Sequence, residues 1–205
     1  MCGNTETMTE DSRQLFLTLN QDILIKKFHL KNDEKFLYMT FFGKEYKIDR
    51  RQGYISEGNT PMPADHDTMM GIYDMLSYSA DKATLPELTG QWETLSNLGG
   101  IIGSGHTQQR LLSDEAIAPF VGKVEELKKA CEALGGKEEK GGDVSYSIPV
   151  FDFFHVWFQF WDADDEFPAA AQFLWDKNSL SFLHYEILFY TTAYLEKILK
   201  EMINK

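Results

Sequence analysis

The chain is short of the residues that the commonest cofactor and anchoring chemistries require. Its 205 residues include two cysteines, Cys2 and Cys131. No Cys-x-x-Cys pair occurs, so thiolates alone cannot build an iron–sulfur cluster or a structural zinc site. Basic residues are also scarce: 20 Lys and Arg against 32 Asp and Glu give a formal charge of -12. Affinity for nucleic acid comes mainly from cationic side chains displacing counterions, so this balance argues against nucleic acid and anionic lipid as partners. No apolar run approaches the length of a membrane span, and residues 1–20 lack a basic stretch followed by an apolar one. The expectation is a cytoplasmic protein outside any membrane. The sequence identifies no cofactor.

Familiar catalytic patterns are missing as well. There is no Gly-x-Ser-x-Gly nucleophile elbow. The five histidines, His29, His66, His106, His155 and His184, never take the spacing that puts two imidazoles on one helical face. His184 and Glu186 are two apart, which points them away from each other on a helix. Cys131 falls in a helical pattern and reads as a small core hydrophobe.

What the chain does have is apolar material: 43% hydrophobic and 14% aromatic residues, enough for a real core and too much for disorder. The reading is a mobile leader over residues 1–9 and a single α+β domain over 10–205. Small antiparallel β-sheet elements pack against amphipathic helices, and a long helix closes the chain. The periodicities predict a helix over Glu10–Phe28, then a meander over Phe36–Phe42, Glu45–Asp49 and Tyr54–Ile55 with a turn at Gly43-Lys44. Asp65 or Asp67 caps a helix through Ala80, and Asp81–Asn97 reads as loop anchored by Trp92. A helix follows from about Ser113 to Leu134, troubled by Pro119 and stopped by Gly135-Gly136. Strands are expected over Val144–Pro149 and Phe154–Trp161, a short helix from Phe167-Pro168 to Trp175, and the final helix over Phe182–Ile203. In that last helix Leu183, Ile187, Tyr190, Tyr194, Ile198 and Met202 form the inward stripe.

Three stretches invite chemistry. Gly100–Thr107, GIIGSGHT, has the frame of a phosphate-binding loop, but His106 stands where a lysine should compensate phosphate charge. Its free backbone N–H groups, with His106 and Arg110, suit a small anionic ligand. The acidic run Asp162, Asp164, Asp165 and Glu166 suggests a divalent metal, although it lacks the glycine and terminal glutamate of a calcium loop. A plainer account makes it the first turn of a helix, where carboxylates meet free N–H groups. The stretch Ser147–Asp176 carries three of the four tryptophans, and its residues His155, Trp157 and Trp161 could wall an apolar site.

The stretch from Gly142-Asp143 through Ile148-Pro149 to FWDADDEFPAAAQFLWD at Phe160–Asp176 resembles an uncharacterised prokaryotic family, domain of unknown function 3786. The resemblance is specific over Ile148–Asp176 and extends loosely to Gly43-Lys44, Tyr46, Trp92 and Gly99-Gly100. It implies that the acidic turn is characteristic of the group, and it brings no assigned activity. Some members of that family join the domain to a cysteine-rich iron–sulfur module. This chain lacks those cysteines, so the resemblance implies that a redox role would need a partner protein.

The residues therefore favour a non-catalytic accessory or small-ligand-binding module. In that reading His106 and Arg110 meet an anionic ligand against a wall of His155, Trp157 and Trp161. Two alternatives stand beside it. One is a hydrolase or transferase whose divalent ion is held by Asp162, Asp164, Asp165 or Glu166, converging with His155 or His184. The other is a protein–protein interaction module whose acidic surface steers a basic protein partner.

Overall fold

The computed structural model describes residues 2–78, 84–98 and 112–204. The N-terminal part opens with helices α1 (Cys2–Thr18) and α2 (Gln21–Phe28). One helix was expected here, and Asn20 divides it. The Asn20 side chain accepts the N–H groups of Asp22 and Ile23, which starts a new helix at the point where the first has ended. Four antiparallel strands follow in spatial order, β1 (Lys31–Asn32), β2 (Phe36–Phe41), β3 (Lys44–Asp49) and β4 (Ile55–Glu57). In β2 the alternation buries Leu37, Met39 and Phe41.

The turn between β2 and β3 is one residue earlier than the sequence suggested. Phe41 pairs with Lys44, so the turn residues are Phe42 and Gly43, with φ of 45° and 73°. Two positive φ values in a two-residue hairpin loop match the twist of the strands.

Helix α3 (His66–Tyr78) starts at Asp65, which accepts the Thr68 N–H at 3.1 Å, and ends beside residues that the structure does not describe. Strand β5 (Trp92–Thr94) lies where a loop was expected; its edge pairing with a later strand overrides its polar composition. A one-turn helix α4 (Leu95–Leu98) follows. The expected helix over Ser113–Leu134 is broken into α5 (Asp114–Ile117), a 3-10 turn at Ala118–Phe120 around Pro119, and α6 (Val124–Ala133). Proline has no N–H to continue the ladder.

The second sheet is the core of the molecule. Strands β6 (Lys137–Glu138), β7 (Val144–Phe151), β8 (Phe154–Trp161) and β9 (Ala170–Asp176) are antiparallel, in the order β5-β9-β8-β7-β6. Strand β9 corrects the short helix expected through Trp175. Ala171, Phe173 and Trp175 alternate inward and sit opposite Phe160, Phe158 and Val156 of β8, so strand pairing decides the conformation. The acidic run is therefore a hairpin connection rather than the first turn of a helix.

The C-terminal helix α7 (Tyr185–Ile203) packs against α3 and α6 after a 3-10 turn at Ser179–Ser181, so it starts later than Phe182. Its buried stripe is Ile187, Leu188, Thr191, Tyr194, Leu195, Leu199 and Ile203, whereas Tyr190, expected inside, is 45% exposed. The fold is α+β with two antiparallel sheets and a long final helix. Among the described residues no helix is long and apolar enough to cross a membrane.

Candidate functional site

Strand β8 places His155, Trp157 and Trp161 on the sheet face opposite the core, each half-buried, while Phe154, Val156, Phe158 and Phe160 fill the core. Trp92 of β5 meets Trp157 edge-on with ring centroids 5.6 Å apart, and the Trp157 indole N–H donates to Ser145 Oγ at 2.9 Å. Burial, with Lys137 nearby, holds the His155 imidazole below its ordinary pKa against the opposing pull of Asp152. The three residues expected to share a wall do share a face. Their expected companions His106 and Arg110, and most of the glycine-rich loop, lie outside the described residues.

The acidic turn spends its carboxylates on the backbone. Asp164 Oδ1 accepts the N–H groups of Glu166 and Phe167 at 2.8 and 2.7 Å, and these bonds hold its pKa below the usual range. Asp162 accepts the Gly122 N–H at 3.1 Å, and its own N–H donates to Asp143 at 2.8 Å. Asp165 and Glu166 are exposed. Among the described residues no group of three or more His, Cys, Asp or Glu side chains is arranged to hold a metal ion.

The other residues of the motif are loop-closing too. A Cβ on Gly142, whose φ is 73°, would lie 2.6 Å from the Phe160 carbonyl oxygen. Asp176, 2% exposed, accepts from the Thr89 and Gly90 N–H groups and the Thr89 hydroxyl on one side and from Asn178 N–H on the other. The conserved-looking texture of this stretch is thus the texture of a sheet that needs its connections fixed.

One polar pair was not legible in the sequence. Asp74 of α3 holds His184 twice: its Oδ1 is 2.6 Å from the ring Nδ1, and its Oδ2 accepts the backbone N–H at 2.9 Å. The ring of Tyr78 lies against the imidazole at 3.9 Å. An Asp-oriented histidine is a component of many catalytic sites. Here no hydroxyl or thiol among the described residues is hydrogen-bonded to the ring, and the pair clamps the start of α7 to α3.

A groove of about 360 Å³ lies where β9 loses its neighbour β5. Strand β5 ends at Thr94, and the Leu112 N–H takes up the Ala171 carbonyl further along β9 at 2.9 Å. Phe173, between these points, and Trp175, opposite Glu93 of β5, line the groove from β9, and Tyr185 and the 56% exposed Phe189 line it from α7. Small hydrogen-bonding groups surround it: Thr94, Ser96, Ser113, Gln172, Thr192 and the carboxylate of Glu196. Among the described residues no basic side chain lines it. Trp175 has no exposed surface, and its indole Nε1 is a buried donor with no acceptor among the described residues.

This volume and this mixture of apolar lining and sparse polar rim are those of small-molecule sites. A larger hollow of about 420 Å³ is walled by the polar and charged residues Glu34, Lys35, Asp49, Arg51 and Gln52 and has no aromatic side chain in its lining among the described residues. Sequence reasoning missed the groove because its lining comes from five elements, β5, α4, α5, β9 and α7, spread over residues 94–196. Such a set leaves no local pattern.

A two-sheet α+β domain with a ligand-sized groove at a strand edge defines the class. Within it, the chain belongs to the family described as domain of unknown function DUF3786, which matches residues 24–197 and so excludes α1. No curated protein and no solved structure matches the chain.

Proposed function

We propose that this protein is a non-catalytic accessory module that binds a small ligand in the groove between β9 and α7. The observation that carries the reading is Trp175, which belongs to the groove lining and whose indole N–H is buried without an acceptor among the described residues. An unmet buried donor costs about 1–3 kcal/mol, so a ligand acceptor that reaches it after a small side-chain shift recovers that cost on binding. The aromatic lining suits a flat, largely apolar body. Glu196 in the lining favours a neutral or cationic ligand. The anionic ligand expected from His106 and Arg110 rests on residues outside the described ones.

Native mass spectrometry of gently purified protein tests the reading. The wild-type chain should carry an additional small-molecule mass, and Ala116→Trp, which fills the groove from α5, should lose it while keeping its fold. An additional mass retained by Ala116→Trp would place the ligand elsewhere, and a bare wild-type chain would remove the reading's support.

A further inference from the structure

Helix α7 shows solvent a second apolar stripe on the side away from its buried one. Phe189 and Tyr190 are 56% and 45% exposed, and their rings meet edge-on with centroids 6.0 Å apart. Ala193 continues the stripe one turn on, also exposed. Exposed Glu186 begins it and exposed Lys197 ends it. Large apolar side chains set together on a surface and bounded by charges mark an interaction site.

The order of these residues identifies the occupant. Two copies of α7 laid antiparallel about a twofold axis between residues 191 and 192 bring position 186 opposite 197 and position 190 opposite 193. Glu186 of each copy then faces Lys197 of the other, and the Tyr190 ring of each faces the small Ala193 of the other. Charge and size are complementary at the same register. Eleven residues of helix span roughly 16 Å, so two ion pairs close the two ends of a three-turn contact. We propose that the exposed face of α7 is a homodimer interface whose partner is a second copy of this chain.

The surface is self-complementary, as a twofold contact requires, because one stripe carries both the donor and the acceptor of each ion pair. A three-turn helix contact buries less than the roughly 1,200–2,000 Å² of a stable interface, so the dimer should be weak and depend on protein concentration. The proposal does not depend on a ligand in the groove: Ala116→Trp should leave the dimer intact.

Sedimentation velocity over a concentration series from micromolar to submillimolar tests it. Wild type should shift from monomer to dimer, and Ala193→Glu should remain monomeric. Glu186→Lys and Lys197→Glu should each weaken dimerisation by about tenfold or more, because each sets like charges opposite one another. Lys197 also lies near Asp67 of its own chain, so its reversal alone is ambiguous. Mixing the two single variants resolves this: a chain with two lysines meets a chain with two glutamates, and a heterodimer should form at wild-type concentrations. A wild-type chain that stays monomeric, a dimer indifferent to Ala193→Glu, or single variants that do not associate when mixed would each overturn the proposal.

Discussion

The N–H of Phe42 donates to the carbonyl of Val150 at 2.9 Å, and this bond ties the first sheet to the second. Phe42 makes it from a left-handed backbone, with φ of 45°. Its ring is 2% exposed and packs against Phe41 and Tyr194. The backbone preference and the burial of the ring oppose each other, and their magnitudes decide the outcome. An asparagine would relieve about 1 kcal/mol of left-handed strain. Emptying a buried aromatic site costs about 3–5 kcal/mol. Phe42→Asn should therefore destabilise by roughly 2–4 kcal/mol in denaturant unfolding. Gly43→Ala should cost about 1 kcal/mol, from its φ of 73° rather than from a clash, since its Cβ would meet the Leu134 oxygen at an ordinary 3.5 Å.

Burial pushes the Cys131 thiol up to about 12, with Glu132 adding to the effect. The thiolate is the reactive form, so this residue should be inert in the native protein. Alkylation followed by peptide mapping should leave Cys131 unmodified under native conditions and modify it fully in denaturant. Native labelling at a rate like that of a free thiol would show that α6 is not packed as described.

The His155 imidazole sits below its ordinary pKa, chiefly through burial. The unfolded chain therefore binds its proton more readily than the folded one. Stability from this residue is complete above the unfolded value of about 6.5 and is lost as pH falls from there towards the lower folded value. The melting temperature should fall between about pH 7 and pH 5, and His155→Gln should fall less over the same range. Equal falls in the two proteins would remove His155 from the account.

Asp176 sits almost without exposure among four donors contributed by Thr89, Gly90 and Asn178. Asp176→Asn turns an amide N–H₂ towards groups that can only donate or prefer to. It should destabilise by about 2–4 kcal/mol while leaving β9 in place. If stability is unchanged, the last position of the family-like stretch is not the loop anchor assigned to it.

The class of fold was legible because its signals were local. The alternation of Leu37, Met39 and Phe41, the Phe154–Trp161 run and the α7 period all reflect burial on one face. The errors came where a distant partner decides. Residues 170–175 follow an acidic run and a proline, which favours a helix start locally, yet pairing of Phe173 with Phe158 makes them a strand. Tyr190 fits the helical period but falls outside, because the buried face of α7 runs along Leu188, Thr191 and Leu195 instead. For the site, the common face of His155, Trp157 and Trp161 followed from strand alternation alone. The groove and the Asp74–His184 clamp could not follow from any local pattern, since both are joined only by tertiary packing.

The indole N–H of Trp175 reports on the groove most directly. The four tryptophans give four indole signals in a proton–nitrogen correlation spectrum, assignable by single Trp→Phe variants. The spectrum of gently purified protein should be compared with that of the same protein unfolded, freed of small molecules and refolded. The account expects the Trp175 signal to move on stripping, as its donor loses the ligand acceptor, while those of Trp92, Trp157 and Trp161 stay in place. A Trp175 signal that does not move, or a change confined to Trp157 and Trp161, would contradict it.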